Sequence, residues 1–169
     1  MSLISVITGT PGVGKSTVCR GLAQRLPIGA HIEADRLQQL IVAGGQWPSA
    51  ATAAAIEQLI LRTRNAACIA RNFLAAGIPA FIDEVVCTDE QMGVLTELVP
   101  HARLVVLAAH RDVVLERDGM RRKHTASNYQ GVADAIADVV GTKATWLDTT
   151  GLTTEQTISI VWNEVSAKM

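Results

Sequence analysis

The sequence lacks the features that mark several classes of protein. Its 169 residues include 15 basic and 16 acidic side chains, so no excess of charge of one sign favours nucleic acid or a membrane surface as a partner. There are only three cysteines (Cys19, Cys68 and Cys87), and they are too widely spaced for a disulfide framework or a zinc site. We therefore expect reduced thiols in a cytoplasmic protein that binds neither nucleic acid nor a membrane.

Long apolar runs and targeting signals are also lacking. Residues 1–7 have no basic n-region or cleavage signal, and their apolar run is too short to span a bilayer. No internal repeat, low-complexity tract or linker interrupts the chain, and hydrophobic residues make up 49% of it. We therefore predict one folded domain over residues 1–169, without a leader or anchor. Nothing in the sequence indicates an oligomeric state.

What the sequence does have is a Gly-rich motif near its start. Residues 9–16 match G-x-x-x-x-G-K-[ST] and lie between an apolar run and a helical pattern. In that context glycines with φ > 0 turn backbone N–H groups toward a phosphate, and a helix N-terminus adds a positive dipole end. We expect Lys15 to reach the β- and γ-phosphates of ATP and Ser16 to ligate Mg²⁺. A ligand-free turn is the alternative, but it would not need the Lys-Ser pair. The predicted nucleotide-binding residues here are Gly9, Thr10, Pro11, Gly12, Val13, Gly14, Lys15, Ser16 and Thr17.

Apolar runs alternate with helical patterns along the chain. The five strand-like runs are residues 2–8, 30–34, 79–85, 103–108 and 144–148. This alternation predicts an α/β fold with a five-stranded parallel sheet and helices on both faces. Further helices are predicted over residues 49–76 and 88–98, and Thr153 with Gln156 is typical of a capping box.

Two acidic residues end the third apolar run. In this fold class a carboxylate at the carboxyl end of a strand beside the first one organises Mg²⁺, which predicts Asp83 as a partner of Ser16. Glu84 is predicted either to bind the acceptor or to activate water in an ATP-hydrolysing protein. The alternative for both residues is a helix-capping or solvated acid.

The end of the second run offers a possible acceptor site. Asp35 is predicted to open onto the ligand crevice and take a proton from an acceptor hydroxyl, or else to cap a helix over residues 36–42. Arg36 could steady a phosphate or a polar acceptor, and Trp47 could wall the acceptor or anchor the core. The helical region at about residues 36–76 therefore forms the predicted acceptor side.

The densest cluster of charge lies after the fourth run, at residues 110–123. Arg117 and Arg121 are four residues apart, so they share a helix face and could stabilise the charge of a transferring phosphoryl group. We predict a mobile lid over about residues 111–128, and a solvated helix face is the alternative. Three further arginines and the four histidines are expected to be solvated or without a role. The three arginines are Arg62, Arg64 and Arg71.

Taken in order, these motifs resemble the small P-loop kinases of the adenylate, shikimate and gluconate kinase type, and most of all the chloramphenicol phosphotransferase-like kinases. The matching segments are GTPGVGKST at 9–17, EADR at 33–36, FIDEVV at 81–86, HRDVVLERDGMRR at 110–122 and LDTT at 147–150. The resemblance implies the P-loop NTPase fold with strand order 2-3-1-4-5, and ATP and Mg²⁺ as cofactors. It also implies Arg117 and Arg121 as lid arginines, Asp35 as the acceptor-side acid, and Thr149 and Thr150 in the adenine-binding loop.

The acceptor motifs of these relatives are missing. Ile82-Asp83-Glu84-Val85 stands in place of the D-G-[FY]-P-R of adenylate kinases, and the triple glycine of shikimate kinases does not occur. The predicted function is transfer of the γ-phosphoryl group of ATP to a hydroxyl of a small molecule. A nucleoside or nucleotide kinase is one alternative, and an ATP-hydrolysing or nucleotide-sensing module is another. No N-K-x-D guanine signal supports a GTPase.

Overall fold

The computed structural model describes residues 3–119 and 129–167, and of residues 117–119 and 129 it describes the backbone only. Five parallel strands form one sheet in the order β2-β3-β1-β4-β5. The predicted fold class and strand order are thereby confirmed. The strands are β1 (Ile4–Thr8), β2 (Ala30–Glu33), β3 (Ala80–Asp83), β4 (Arg103–Ala108) and β5 (Thr145–Asp148).

Helices cover both faces of the sheet. They are α1 (Lys15–Gln24), α2 (Ala34–Gln38), α3 (Ala53–Ala75), α4 (Asp89–Leu98), α5 (Arg111–Gly119), α6 (Tyr129–Val140) and α7 (Thr154–Ser166). Three of them begin at a threonine whose hydroxyl accepts a backbone N–H three residues later, which supplies a partner that the first turn otherwise lacks. These caps are Thr52, Thr88 and Thr153, and the predicted capping box of Thr153 with Gln156 is present.

The sheet has a hydrophobic core on each face. On one face α1 and α7 pack on the central strands, with Leu22, Phe81 and Val161 at most 1% exposed. On the other face α3 lies against the sheet through small residues such as Ala66 and Ala70, both fully buried. Residues of β1 and β3 are buried at every position, which matches the continuous apolar runs of central parallel strands.

The second strand and second helix differ from the sequence prediction. The strand ends at Glu33 and α2 spans only Ala34–Gln38, so Asp35 lies in the first turn of a helix and not at the end of a strand. The buried side chain of Gln38, the last residue of α2, donates to the Gln46 carbonyl (3.0 Å) and to Gln58 Oε1 (2.9 Å). These bonds hold the following loop against α3.

The predicted lid begins within α5, and residues 120–128 lie outside the described part of the chain. Of the helices in the described ranges, none combines the length and the apolar character needed to cross a bilayer.

Candidate functional site

The phosphate-binding loop connects β1 to α1. Gly9, Gly12 and Gly14 have φ of 137°, 88° and 108°, in the region that glycine adopts without strain. A Cβ on Gly9 would lie 2.3 Å from the Leu107 carbonyl oxygen, so this position accepts no side chain. Because Gly14 is the last residue before α1, the first backbone N–H groups of that helix face the loop and are suited to bind phosphate oxygens.

Lys15 begins α1 and its side chain folds over this loop. Its Nζ donates to the carbonyl oxygens of Gly9 (3.0 Å) and Thr10 (3.1 Å), and the residue is 9% exposed. Burial lowers the pKa of the Lys15 ammonium, although the charges of Asp83, Asp35 and Glu84 act in the opposite direction. The structure therefore brings the predicted phosphate-binding lysine together with all three predicted acidic site residues.

Asp83 ends β3 beside the phosphate loop, where strand pairing places it opposite Ile7 of β1 and Glu33 of β2. Burial by itself would raise the pKa of Asp83, but contact with His31, the charge of Lys15 and a hydrogen bond from Ser16 outweigh it and lower the pKa. The separation of His31 Nε2 from Asp83 Oδ2 is 3.8 Å, so this contact is electrostatic rather than a close hydrogen bond.

The pair of Ser16 and Asp83 fits Mg²⁺. An ionised carboxylate beside a hydroxyl is the donor set that this cation takes when nucleotide phosphates and water supply the remaining oxygens. Within residues 3–119 and 129–167, no group of three or more His, Cys, Asp or Glu side chains could hold a metal ion. A cation here would thus depend on the nucleotide for part of its coordination.

Glu84 is buried behind the loop and forms an ion pair with Arg62 of α3. The Arg62 Nη2 donates to Glu84 Oε1 (2.6 Å) and its Nε donates to Oε2 (3.2 Å). Glu84 also accepts from the Thr63 hydroxyl (3.1 Å) and the Val85 N–H (2.8 Å). Burial raises the pKa of Glu84, while Arg62 opposes this shift. The carboxylate therefore already accepts four hydrogen bonds.

Arg62 also reaches the acceptor side. Its Nη1 donates to Asp35 Oδ1 (3.0 Å), so that Glu84, Arg62 and Asp35 form a chain of charges from the sheet to α2. The expectation that Arg62 is solvated is wrong, because only 4% of the residue is exposed. A helix-period signal was available, since Arg62 shares a face of α3 with the buried Leu59 and Ala66.

The predicted acceptor residues are more exposed. The Asp35 side chain is 66% exposed and the Arg36 side chain 71%, and the Arg36 Nε donates to Glu33 Oε2 (3.3 Å). Trp47 lies 42% exposed in the loop after α2, where its carbonyl accepts the Ala50 N–H. The structure links Asp35 directly to the buried site through Arg62. Arg36, in contrast, is paired with Glu33.

The loop after β5 closes over the end of β4. Thr149 is buried, and its N–H and hydroxyl both donate to the Ala108 carbonyl (2.7 and 3.0 Å). The Thr150 hydroxyl donates to Asp148 Oδ1 (2.6 Å) and accepts the His110 N–H (2.9 Å). Hydrogen bonds from the Thr150 side chain and backbone lower the pKa of Asp148. The side chains of Thr149 and Thr150 thus fix the conformation of this loop.

The predicted lid arginines cannot be placed in the site. Arg117 belongs to α5 by its backbone, but its side chain lies outside the described atoms, and Arg121 lies outside the described residues.

Solved structures share this fold over almost the whole chain. The Deinococcus radiodurans tunicamycin resistance protein is 24% identical, with 98% of this chain and 96% of that chain covered and a TM-score of 0.72. A gluconokinase from Sinorhizobium meliloti is 18% identical, with 98% and 92% covered and a TM-score of 0.67. A shikimate kinase from Acinetobacter baumannii, in complex with shikimate, is 14% identical, with 98% and 94% covered and a TM-score of 0.65.

A search of curated proteins found no match to the sequence. A family model described as an AAA domain, AAA_18, matches residues 6–136, which include the phosphate loop and all three acidic site residues. These findings confirm the resemblance to small P-loop kinases at the level of the fold. On the extent of this match, together with the geometry of the phosphate loop, the chain belongs to the AAA_18 family of P-loop proteins.

Proposed function

We propose that the protein is an ATP- and Mg²⁺-dependent phosphotransferase that transfers the γ-phosphoryl group of ATP to a hydroxyl of a small molecule. The observation that carries this proposal is the position of Asp35. Its Oδ1 is held by the buried Arg62, while two thirds of the side chain remains exposed beside the loop that holds Lys15. A carboxylate fixed by one oxygen and open at the other is suited to receive a proton from a bound hydroxyl.

The phosphate loop, residues 9–17, would bind the nucleotide phosphates through its backbone N–H groups. Lys15 would exchange its bonds to Gly9 and Thr10 for the β- and γ-phosphates. Ser16 and Asp83 would hold Mg²⁺, which supplies neutralisation of the charge on the phosphate oxygens. The loop at Thr149 and Thr150 would receive the adenine. The lid arginines Arg117 and Arg121 would stabilise the transferring group.

In the transfer step the acceptor oxygen forms a bond to the γ-phosphorus as the bond from that phosphorus to the bridging oxygen of ADP breaks. The hydroxyl proton passes to the free oxygen of Asp35. Arg36, next to Asp35 in α2, and Trp47, in the loop that follows α2, are proposed to contact the acceptor, Trp47 with its partly exposed ring.

The hydrolase alternative is favoured by the Asp83-Glu84 pair and by the AAA description of the family model. It would need Glu84 to activate water. Because four donors already occupy the Glu84 carboxylate and it lies 2% exposed, this role is disfavoured.

The deciding experiment measures ADP release from ATP across a panel of hydroxylated metabolites, nucleosides and antibiotics. Stimulation by one acceptor would support phosphotransfer. Slow release that no acceptor stimulates would point to the hydrolase instead.

The Asp35→Asn variant tests the proposed base. We expect ATP affinity to change little, because Asp35 faces the acceptor side, and acceptor-stimulated ADP release to fall about a hundredfold, the usual scale for a positioned base. Asp138→Asn, an exposed carboxylate of α6, is the matched control and should behave like the unchanged protein. Undiminished transfer by a folded Asp35→Asn variant would remove Asp35 from the mechanism.

A further inference from the structure

We propose that Glu84 makes the acceptor site selective for hydroxyl compounds that carry no negative charge, by holding Arg62 in a buried ion pair. This inference rests on the proposed function, since it concerns the acceptor of the same site. Glu84 acts through Arg62 and is therefore a positioning residue that sets specificity.

Anionic acceptors are usually held by arginine. The guanidinium group binds a carboxylate or phosphate with two parallel hydrogen bonds, and this geometry needs two N–H groups on one edge of the arginine. In Arg62 the edge formed by Nε and Nη2 is occupied by the two oxygens of Glu84, at 3.2 and 2.6 Å. The remaining nitrogen, Nη1, donates to Asp35. The Nε–Nη2 edge of Arg62 is thus already occupied from within the protein.

The other arginines of α1, α2 and α3 are either paired with a carboxylate or remote from the phosphate loop. Arg36 and Arg20 both contact Glu33, at 3.3 and 3.5 Å. Arg64 of α3 contacts Glu97 of α4 at 3.7 Å. Arg71 lies near the C-terminal end of α3, and since α3 leads into the start of β3, that end is at the edge of the sheet opposite the phosphate loop.

The resulting balance of charge does not favour an anion. Around α2, the three carboxylates of Glu33, Asp35 and Glu84 are matched by the three guanidinium groups of Arg20, Arg36 and Arg62. Among these three carboxylates that of Asp35 is the most exposed, with 66% of its side chain accessible. An acceptor carboxylate would lose its hydration on binding and would be repelled by the like charge of Asp35. It could not bind the Nε–Nη2 edge of Arg62, because Glu84 occupies that edge.

The loop after α2 carries exposed apolar side chains. Leu40, Val42 and Trp47 are 73%, 95% and 42% exposed, and they follow Asp35 closely in the chain. An uncharged acceptor with an apolar part could cover these side chains, which gives a favourable contribution that does not depend on charge.

Matched pairs of acceptors test the selectivity directly. ADP release would be measured with shikimate and its methyl ester, with gluconate and its amide, and with nucleoside monophosphates and their nucleosides. Within any pair that stimulates release, we expect kcat/KM to be at least tenfold higher for the uncharged member. A preference for the charged member would overturn the inference.

A second measurement reports on Glu84 without requiring turnover. With Mg²⁺ and a non-hydrolysable ATP analogue at saturation, so that the phosphate loop is filled, the protein is titrated with sulfate and its melting temperature followed. Glu84→Gln removes the charge that neutralises Arg62, and we expect a saturable sulfate response at a concentration at least tenfold lower than in the unchanged protein. Glu84→Asp serves if the amide variant is too unstable, because it keeps the charge but withdraws the carboxylate from the Arg62 edge.

Glu97→Gln is the matched control, because it frees Arg64 at the surface, where no buried acceptor site lies beside it. It should respond to sulfate like the unchanged protein. A response of both Glu84 variants that equals this control would show that Glu84 does not mask Arg62. If no acceptor stimulates ADP release, that result counts against the proposed phosphotransfer, whereas the sulfate response still decides the role of Glu84.

Discussion

Lys15, which we propose binds the nucleotide phosphates, illustrates at the level of one residue how a group placed for a ligand can oppose stability. Its ammonium lies buried over the phosphate loop, where only two carbonyl oxygens accept its hydrogen bonds. Burial lowers its pKa below the ordinary value of 10.5, which means that the folded protein holds this proton less tightly than the unfolded chain does. The charged side chain therefore reduces stability at neutral pH, a cost typical of sites built for a ligand.

Lys15→Met should remove ATP turnover and raise the melting temperature at pH 7. The apolar replacement has similar length and carries no charge to bury. The gain should shrink as the pH rises toward 10.5, because the penalty in the unchanged protein is complete below the folded pKa and vanishes above the unfolded one. Thermal unfolding of both proteins across this pH range, and ATP turnover at pH 7, would measure these effects.

Lys143→Met is the control for the loss of a surface lysine, since Lys143 is exposed. It should leave turnover unchanged. A Lys15→Met variant that is folded and keeps its turnover would contradict the assignment of Lys15 to the phosphates.

Burial also explains, at the level of single residues, why Glu84 and Arg62 form an ion pair. The two side chains are 1% and 5% exposed, so neither charge could remain there without the other. Removing one partner of such a pair costs about 3–5 kcal/mol, which is why the test of Glu84 needs a variant that keeps the charge.

At the level of the element, α7 begins with reciprocal hydrogen bonds that lie far along the chain from the phosphate loop. The Thr153 hydroxyl accepts the Gln156 N–H (3.2 Å), and the Gln156 side chain accepts the Thr153 N–H (2.8 Å). The helix then packs on α1 through Ile158 and Val161. Its cap therefore contributes to stability and not to chemistry.

Thr153→Ala should lower the free energy of unfolding by about 1 kcal/mol, the usual contribution of an N-cap hydroxyl. Denaturant unfolding would measure the loss, and the acceptor-stimulated rate of the folded enzyme should not change. Thr153→Ser keeps the accepting oxygen and should retain most of the stability. Equal stability of the serine and alanine variants would show that the cap contributes nothing.

At the level of the whole molecule, the sheet joins the two cores that hold the site. Phe81 of the interior strand β3 is fully buried against α1 and α7, whereas the next residues, Ile82 and Asp83, lie in the opposite core and in the candidate site. Damage to the packing of β3 should therefore affect global stability and the phosphate loop together.

Phe81→Ala should destabilise the fold by about 3–5 kcal/mol, because it removes a large buried side chain and leaves a cavity. For a protein of this size the melting temperature should fall by on the order of ten degrees. Phe73→Ala is the control, since Phe73 of α3 is 36% exposed and should cost far less. Similar melting temperatures for the two variants would contradict the position of Phe81 in the core.

Local patterns in the sequence determined much of this protein. The Gly-rich motif predicts the loop because its positive φ values favour glycine, and continuous apolar runs predict buried parallel strands because both faces of such strands are covered. The threonine of the α7 cap needs a partner only three residues away. All these features depend on neighbours in the chain, so the order of residues is enough to predict them.

Only the tertiary structure determines which acidic residue is buried in an ion pair and which stays exposed. Arg62 lies 22 residues before Glu84 and 27 after Asp35, and although its spacing from Leu59 and Ala66 indicates the buried face of α3, the sequence identifies neither of its carboxylate partners. Only the packing of α3 against the end of β3 buries it between the two carboxylates, so that one carboxylate is saturated with hydrogen bonds and the other stays exposed. The balance of burial, charge and hydrogen bonding at such a point depends on contacts between distant segments, and no local pattern records it.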